Sequence, residues 1–170
     1  MQKYRSKVEY DGRHYVGWQR QDNGPSIQAA VEEAILNFCG EQVEVIAAGR
    51  TDSGVHALGM TTHFTLLNNN HDPATVRKAI NFHLGSQPIK IIETEIVPDS
   101  FHARFSAIER RYLYRILNRQ SPPTLDSGRV WHVPRKLDIA EMQEAAEMLI
   151  GEHDFSSFRA KDCQAASPIK

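Results

Sequence analysis

The chain carries the run DPATVRKAINFHLG between residues 72 and 85, and this run predicts an amphipathic helix. An aspartate followed by proline is a typical helix start, because the carboxylate can cap the first turn and proline fits the first helical position. A terminal glycine is a typical stop. One face of the helix is apolar and is expected to pack on a core: Val76, Ile80 and Leu84.

Strand-like segments lie on both sides of this helix, and a second helix precedes it. Ser26 can cap that earlier helix, and Gly40 can end it. The predicted strands, read from β-branched and alternating runs between turn residues, are 3–9, 43–48, 60–67 and 89–97. The order β-α-β-β-α-β over about the first hundred residues predicts a ferredoxin-like, RRM-like α+β domain, which we place at residues 1–104.

The composition changes after Pro98. Residues 101–119 contain five arginines and a single acid, Glu109, although the whole chain has a formal charge of −1. Local basic charge of this kind is typical of a polyanion-binding groove. The run 108–117 alternates like a strand. Asp138 can cap a helix that ends at Gly151. Four apolar residues of this helix are expected to face inward: Ile139, Met142, Ala146 and Leu149. Residues 105–170 are therefore predicted to be the first, incomplete half of a second α+β domain.

Length and composition restrict the class of protein. A chain of 170 residues with 41% hydrophobic and 24% charged residues can form one compact domain or two small ones, and is not typical of disordered or fibrous proteins. Two cysteines are too few for a disulfide scaffold. The polar N-terminus lacks a signal-peptide core, and no apolar run is long enough to span a membrane. We therefore expect a cytoplasmic protein that does not bind membranes.

The loop GRTDSGVHA at residues 49–57 concentrates reactive side chains between two predicted strands. One interpretation is a simple hairpin loop in which Asp52 bonds its own backbone as an Asx turn. A second is a metal site formed by Asp52, His56 and His63, although no metal-binding spacing is present. A nucleophilic serine or a phosphate-binding loop is disfavoured, because Gly-x-Ser-x-Gly and Gly-Lys-Ser/Thr are both missing.

The same loop resembles the active-site loop of the tRNA pseudouridine synthase A family. Further blocks occur in family order along the chain: EYDG at 9–12, YVGWQRQ at 15–21, FHARFSA at 101–107, RRYLY at 110–114 and EHDFSSFR at 152–159. Ser53 stands where many family members have alanine, a change between two small residues. Because these blocks cover nearly the whole chain, the sequence is identified as a member of this family.

The resemblance implies an isomerase that converts uridine to pseudouridine at positions 38–40 of the tRNA anticodon stem-loop, without a cofactor. Asp52 matches the catalytic aspartate, which acts as a nucleophile or as a base. Tyr112 matches a tyrosine that packs on the flipped base, and Arg50 matches the residue that fills the gap left by it. Arg104, Arg110 and Arg111 are interpreted as RNA-binding residues that contact phosphates. A homodimer is also implied.

Two further expectations accompany this interpretation. Family members continue beyond the position of Lys170, so the resemblance implies that later residues complete the second domain and supply a basic partner for Asp52. An RRM-like RNA-binding module without catalytic activity is the alternative function, because it shares the β-α-β-β-α-β order. The strands lack the RNP1 pattern of aromatic residues that RRM domains use to stack bases. Binding that is indifferent to the loss of Asp52 would indicate such a module.

Overall fold

The computed structural model describes residues 1–68, 71–159 and 167–169. These form two compact units, Met1–Tyr112 and Leu113–Lys170. Cys163, one of the two cysteines, lies outside the described residues. None of the described helices combines the length and the apolar composition that crossing a bilayer requires.

The first unit contains a four-stranded antiparallel sheet with two helices. The strands are β1 (Gln2–Tyr10), β2 (Ile46–Ala47), β3 (Ala57–Leu66) and β4 (Ile89–Ile96). They lie in the order β2-β3-β1-β4. The helices are α1 (Ile27–Cys39) and α2 (Pro73–Leu84), so the β-α-β-β-α-β order predicted for this region is present.

Both helices begin and end where local sequence chemistry predicts. Ser26 accepts a hydrogen bond from the Ala29 amide at 3.2 Å, and Gly40 ends α1 in the left-handed conformation at φ +73°. Asp72 caps α2 by accepting from the main-chain amide of Ala74 at 3.0 Å. The predicted inward face of α2 is buried: Val76, Ile80 and Leu84.

The core lies between the helices and one face of the sheet. Tyr4, Val8 and Tyr10 alternate along β1 and point into this core, where Tyr4 stacks on Phe64 of β3 with ring centroids 5.5 Å apart. At the end of β1, Tyr10 pairs with Ala57 at the start of β3. The segment after β1 and the loop before β3 therefore meet at this end of the sheet.

The outer edge of the sheet is covered in part by α2. The side-chain amide of Asn81 donates to the carbonyl of Ile91 at 2.8 Å and its oxygen accepts from the amide of the same residue, also at 2.8 Å. Both main-chain groups of this β4 residue are thus satisfied by a helix side chain instead of a further strand.

The predicted strand 43–48 is shorter than expected. Only Ile46 and Ala47 pair with β3. The amide of Val45 donates to Glu32 Oε1 at 3.0 Å, and its carbonyl accepts from Gln28 Nε2 at 3.2 Å. Because α1 side chains bind both main-chain groups of Val45, the strand begins only after it.

The structure differs more from the prediction over residues 105–170. The strand predicted over 108–117 is wrong except for β5 (Ile116–Leu117), which pairs in parallel with β6 (Trp131–His132). Alternation forms a strand only where a partner strand exists, and none of the described residues forms a β-ladder with 108–114. The helix α3 (Ile139–Glu147) has the predicted Asp138 cap but ends before Gly151.

The burial predicted for α3 is also wrong. None of its residues is buried, and the four residues expected to face inward are exposed: Ile139, Met142, Ala146 and Leu149. Within the part of the chain that the structure describes, the unit 113–170 supplies no packing layer against this face. The apolar period predicts which residues share a face, but burial also requires something to cover it.

Candidate active site

The loop 49–57 is held from one side by the segment that follows β1. The Trp18 amide donates to the Thr51 carbonyl at 3.0 Å, and Gly17 forms an isolated antiparallel bridge with Asp52. The hydroxyl of Ser53 donates to the Tyr15 carbonyl at 3.1 Å. Because these bonds involve three successive loop residues, the main chain at Asp52 is fixed by residues far away in sequence.

Two glycines allow this close approach. A Cβ on Gly12 would lie 2.1 Å from the Val55 carbonyl oxygen, and one on Gly17 would lie 2.6 Å from that of Thr51. Gly17 also has φ +123°, which side-chain-bearing residues rarely adopt. The two glycines are therefore required by the packing of one main chain on another.

Tyr10 supports the loop from inside the core. It is only 3% exposed, and its hydroxyl lies 2.9 Å from Thr51 Oγ1. Burial raises the pKa of Tyr10, and the nearby phenol of Tyr112 contributes in the same direction. Tyr10 is therefore a neutral hydrogen-bonding group at neutral pH, positioned beside two residues of the candidate site.

Asp52 itself is exposed, and its carboxylate forms neither a hydrogen bond nor an ion pair with any of the described residues. The Asx turn that one interpretation predicted does not form: the loop is closed instead by the Asp52 carbonyl, which accepts from the Val55 amide at 3.2 Å. Arg50 is also exposed and is not ion-paired with Asp52. A fixed main chain thus presents a carboxylate that is open to a ligand.

The three residues considered as metal ligands are not brought together. His56 Nδ1 lies 3.2 Å from the Gly12 amide nitrogen and 3.1 Å from Asp11 Oδ1. The Arg13 guanidinium holds the pKa of Asp11 well below its usual range, so this carboxylate is charged. His63 is buried on β3, and no group of three potential ligands is found in the described part of the chain.

His63 has a structural position. Its Nδ1 accepts a hydrogen bond from the Ala103 amide at 3.1 Å. Burial lowers the pKa of His63 to about 4, with smaller contributions from His102 and Lys3. The imidazole is therefore neutral at neutral pH and anchors the residues around Ala103 to the sheet.

Two residues of the RRYLY block reach the start of the loop. Arg110 Nε donates to the Ala48 carbonyl at 2.9 Å, and Nη2 donates to the Arg104 carbonyl at 2.8 Å. A Cβ on Gly49 would lie 3.8 Å from Arg110 Nε and 3.9 Å from the Tyr112 hydroxyl oxygen. The Tyr112 side chain is 69% exposed, so its ring is accessible while its hydroxyl end lies against the loop.

The other two arginines of the predicted RNA-binding set lie on the surface. The Arg104 guanidinium carbon is 5.9 Å from the centre of the Phe105 ring, and Arg111 Nε is 2.7 Å from Glu109 Oε1. Both side chains are exposed. The structure thus places Arg110 and Tyr112 at the Asp52 loop, whereas Arg104 and Arg111 make their side-chain contacts within their own segment.

Sequence reasoning missed the supporting residues. Tyr10 lies just beyond the predicted strand 3–9 and enters the sequence analysis only as part of the EYDG block, and Gly17 only as part of the YVGWQRQ block. The one signal for Tyr10 is the alternation of β1, which places it on the buried face. The bond between Tyr10 and Thr51 and the bond from Arg110 to Ala48 each join residues more than forty positions apart, so no spacing in the sequence predicts them. The bond from Arg110 to the Arg104 carbonyl depends on the path of the main chain, which the sequence pattern does not give.

Comparison with known proteins identifies the family of the chain. The family model described as tRNA pseudouridine synthase matches residues 7–106. The chain is 59% identical over 170 residues to tRNA pseudouridine synthase A of Rhodospirillum rubrum, 55% to that of Rhodospirillum centenum and 50% to that of Parvibaculum lavamentivorans. All of this chain aligns, but it spans only 61%, 69% and 69% of those relatives. The resemblance seen in the motifs is confirmed, and the chain belongs to the tRNA pseudouridine synthase family.

Proposed function

We propose that the protein isomerises uridine to pseudouridine in tRNA, with Asp52 as the catalytic carboxylate. The observation that carries this proposal is the exposed, unpaired carboxylate of Asp52 on a loop that is hydrogen-bonded at Thr51 and at Ser53, the residues on either side of it. A surface aspartate needs no such support for solubility or for folding. A carboxylate that must meet one atom of a substrate does need it, because small errors in placement reduce rates strongly.

The reaction breaks the bond between uracil N1 and ribose C1′ and forms one between C5 and C1′. C5 then loses its hydrogen as a proton and N1 gains a proton, so the product is an isomer of uridine. Asp52 would either attack the substrate as a nucleophile or remove a proton from the sugar. In both cases the carboxylate oxygen must reach the nucleoside directly. The atoms of uridine are only rearranged, so we propose that no cofactor or group donor takes part.

The target base must leave the helical stack before Asp52 can reach it, at a cost of a few kcal/mol. We propose that the exposed ring of Tyr112 packs on the extruded base, since its hydroxyl already lies against Gly49 at the start of the loop. Arg50, two residues before Asp52, is proposed to occupy the space that the base leaves. Its side chain is exposed and unpaired among the described residues, so it is available for this role.

The basic segment supplies the proposed RNA contacts. Arg104 and Arg111 are exposed and can meet phosphates, and Arg110 adds positive charge beside the loop. Phosphate contacts give affinity and orientation, while an A-form stem is recognised mainly by shape. The relatives are named as tRNA enzymes, and we propose uridines 38–40 of the anticodon stem-loop as the target.

The finer architectural expectations are also proposals. The strand order of the first unit supports a ferredoxin-like arrangement for residues 1–104. The exposed apolar face of α3 supports the interpretation of residues 105–170 as the start of a second α+β domain. A cytoplasmic homodimer is proposed from the family alone.

Nucleoside analysis of unmodified tRNA after incubation with the chain tests the proposed activity. The Asp52→Asn variant preserves the size of the side chain, and Asp22→Asn is the matched control because Asp22 is another exposed loop aspartate. We expect pseudouridine with the unmodified chain and with Asp22→Asn, and none with Asp52→Asn, although all three bind tRNA. Undiminished product with Asp52→Asn would refute the role of Asp52. Binding without product in every case would refute the proposed activity for this chain.

A further inference from the structure

We propose that Arg110 is a positioning residue that fixes the start of the Asp52 loop, rather than primarily a phosphate contact. The inference rests on the proposed function and adds to it. Arg110 belongs to the basic segment, and the sequence alone suggests RNA binding for it. Its side-chain bonds point to a different task.

The guanidinium bridges two main-chain carbonyls. Nε donates to Ala48 at 2.9 Å and Nη2 donates to Arg104 at 2.8 Å. Ala48 is the residue directly before the loop, and its amide donates to the Thr61 carbonyl of β3 at 2.8 Å. Both main-chain groups of Ala48 are therefore bound, the amide by the sheet and the carbonyl by Arg110.

The other carbonyl belongs to a segment that is itself anchored to the sheet. Next to Arg104, Ala103 is buried and its amide donates to the imidazole of His63 at 3.1 Å. The Lys3 ammonium donates to the Phe101 carbonyl at 3.1 Å. Arg110 thus joins the beginning of the loop to a second point that β1 and β3 already fix.

The chemistry of arginine suits this bridge and that of lysine does not. A guanidinium is planar and presents several N–H donors at fixed angles, whereas an ammonium is a single point of charge on a flexible stem. Hydrogen bonds from a charged donor are stronger than neutral ones. Lysine at this position would keep the positive charge but could not hold both carbonyls in the same geometry.

The bridge lies close to the Tyr112 hydroxyl. The Arg110 side chain and the Tyr112 hydroxyl both lie within about 4 Å of the position a Gly49 side chain would occupy. Arg110 is therefore placed to hold Tyr112 and the loop that carries Asp52 in one arrangement. Loss of this arrangement should lower the rate of the chemical step, while RNA affinity should change little.

Substitutions of Arg110 by lysine and by alanine separate the two roles. The matched control is Arg77→Lys, because Arg77 also donates to a main-chain carbonyl, that of Ile92 at 3.1 Å, but lies on α2. For each protein we would measure kcat, the tRNA dissociation constant at several salt concentrations, and hydrogen exchange of the amides in residues 48–57.

We expect both Arg110 variants to lower kcat about tenfold to a hundredfold and to speed exchange in the loop, with little change in the dissociation constant or its salt dependence. Arg77→Lys should change none of these quantities. Recovery of kcat by Arg110→Lys, or a weaker and less salt-dependent binding by Arg110→Ala at unchanged kcat, would overturn the proposal in favour of a phosphate contact.

The exchange measurement keeps this inference separate from the proposed function. A chain that makes no pseudouridine would refute the proposed activity, yet faster loop exchange in both Arg110 variants would still support the bridge. Unchanged exchange in an active protein would refute the bridge alone. Arg110→Lys retains the length and charge of the side chain, and so tests the bridge even where Arg110→Ala fails to fold.

Discussion

The buried imidazole of His63 accepts a hydrogen bond from the main-chain amide of Ala103, forty residues later in the chain. The bond requires an unprotonated Nδ1, and burial keeps His63 neutral by lowering its pKa to about 4. The attachment of residues 101–106 to the sheet therefore depends on the neutral state of one histidine.

We predict that His63 makes the folded unit less stable in mild acid. Between the pKa of about 4 in the folded state and the ordinary histidine value of 6.5, the unfolded chain binds more protons than the folded one. The free energy of unfolding should thus fall as the pH drops through this range, by up to about 1.4 kcal/mol per pH unit from this residue, and level off below it.

Urea denaturation between pH 4 and pH 7 measures this effect. The dependence of the unfolding free energy on pH should be weaker in His63→Gln, because glutamine cannot be protonated. It should be unchanged in His83→Gln, because His83 is exposed on α2. An identical slope in His63→Gln and the unmodified chain would contradict the prediction.

We predict that Gly17→Ala destabilises the protein more than Gly40→Ala. Both glycines have positive φ, so both substitutions incur the backbone cost of about 1–2 kcal/mol. Only at Gly17 would the new methyl group also meet a main-chain oxygen, at 2.6 Å, whereas nothing lies within 4 Å at Gly40. Thermal unfolding of the two variants measures the difference in stability. Equal decreases in stability would contradict the prediction, because they would show that the Asp52 loop moves away from the Gly17 methyl group without cost.

We predict that Tyr10→Phe costs about 1 kcal/mol, because it leaves the Thr51 hydroxyl without its partner in a part-buried position. Combining it with Thr51→Val should cost less than the sum of the two single changes, since both remove the same bond. A double-mutant cycle of urea midpoints measures this coupling. Strict additivity would mean that the bond contributes nothing to folding.

We predict that Arg111→Ala weakens tRNA binding and flattens its salt dependence. Loss of one phosphate contact reduces the slope of log K against log salt by about 0.7 to 0.9. Fluorescence titrations at several salt concentrations measure this slope, with Arg13→Ala as a comparison because Arg13 bonds Asp11 in the turn after β1. A slope that does not change would remove Arg111 from the RNA-binding set.

Local chemistry made the helices of the first unit predictable. The Asp72 cap, the proline after it and the spacing of Val76, Ile80 and Leu84 all act within a few residues, and α2 has the predicted ends. The strand at 108–117 was wrong for the opposite reason. Its alternation is real, but a strand requires a partner elsewhere in the chain, and none of the described residues pairs with most of this run.

The candidate site was predictable only in part for the same physical reason. The polar residues of the loop 49–57 are dense enough to be noticed in the sequence. The contacts that shape it come from Tyr10, Gly17 and Arg110, each from a different segment. No short-range pattern encodes such pairings, so motifs located the loop but the fold was needed to show what holds it.

The carboxamide of Asn81 acts on β4 as a single residue of a neighbouring strand would, offering one donor and one acceptor to Ile91. An exposed strand edge can recruit another chain and begin aggregation. Here the Asn81 side chain already binds the main-chain amide and carbonyl of Ile91. Another polypeptide would have to displace it before it could pair with β4 at this residue. One side-chain amide therefore protects this residue of the sheet edge from pairing with a second copy of the chain.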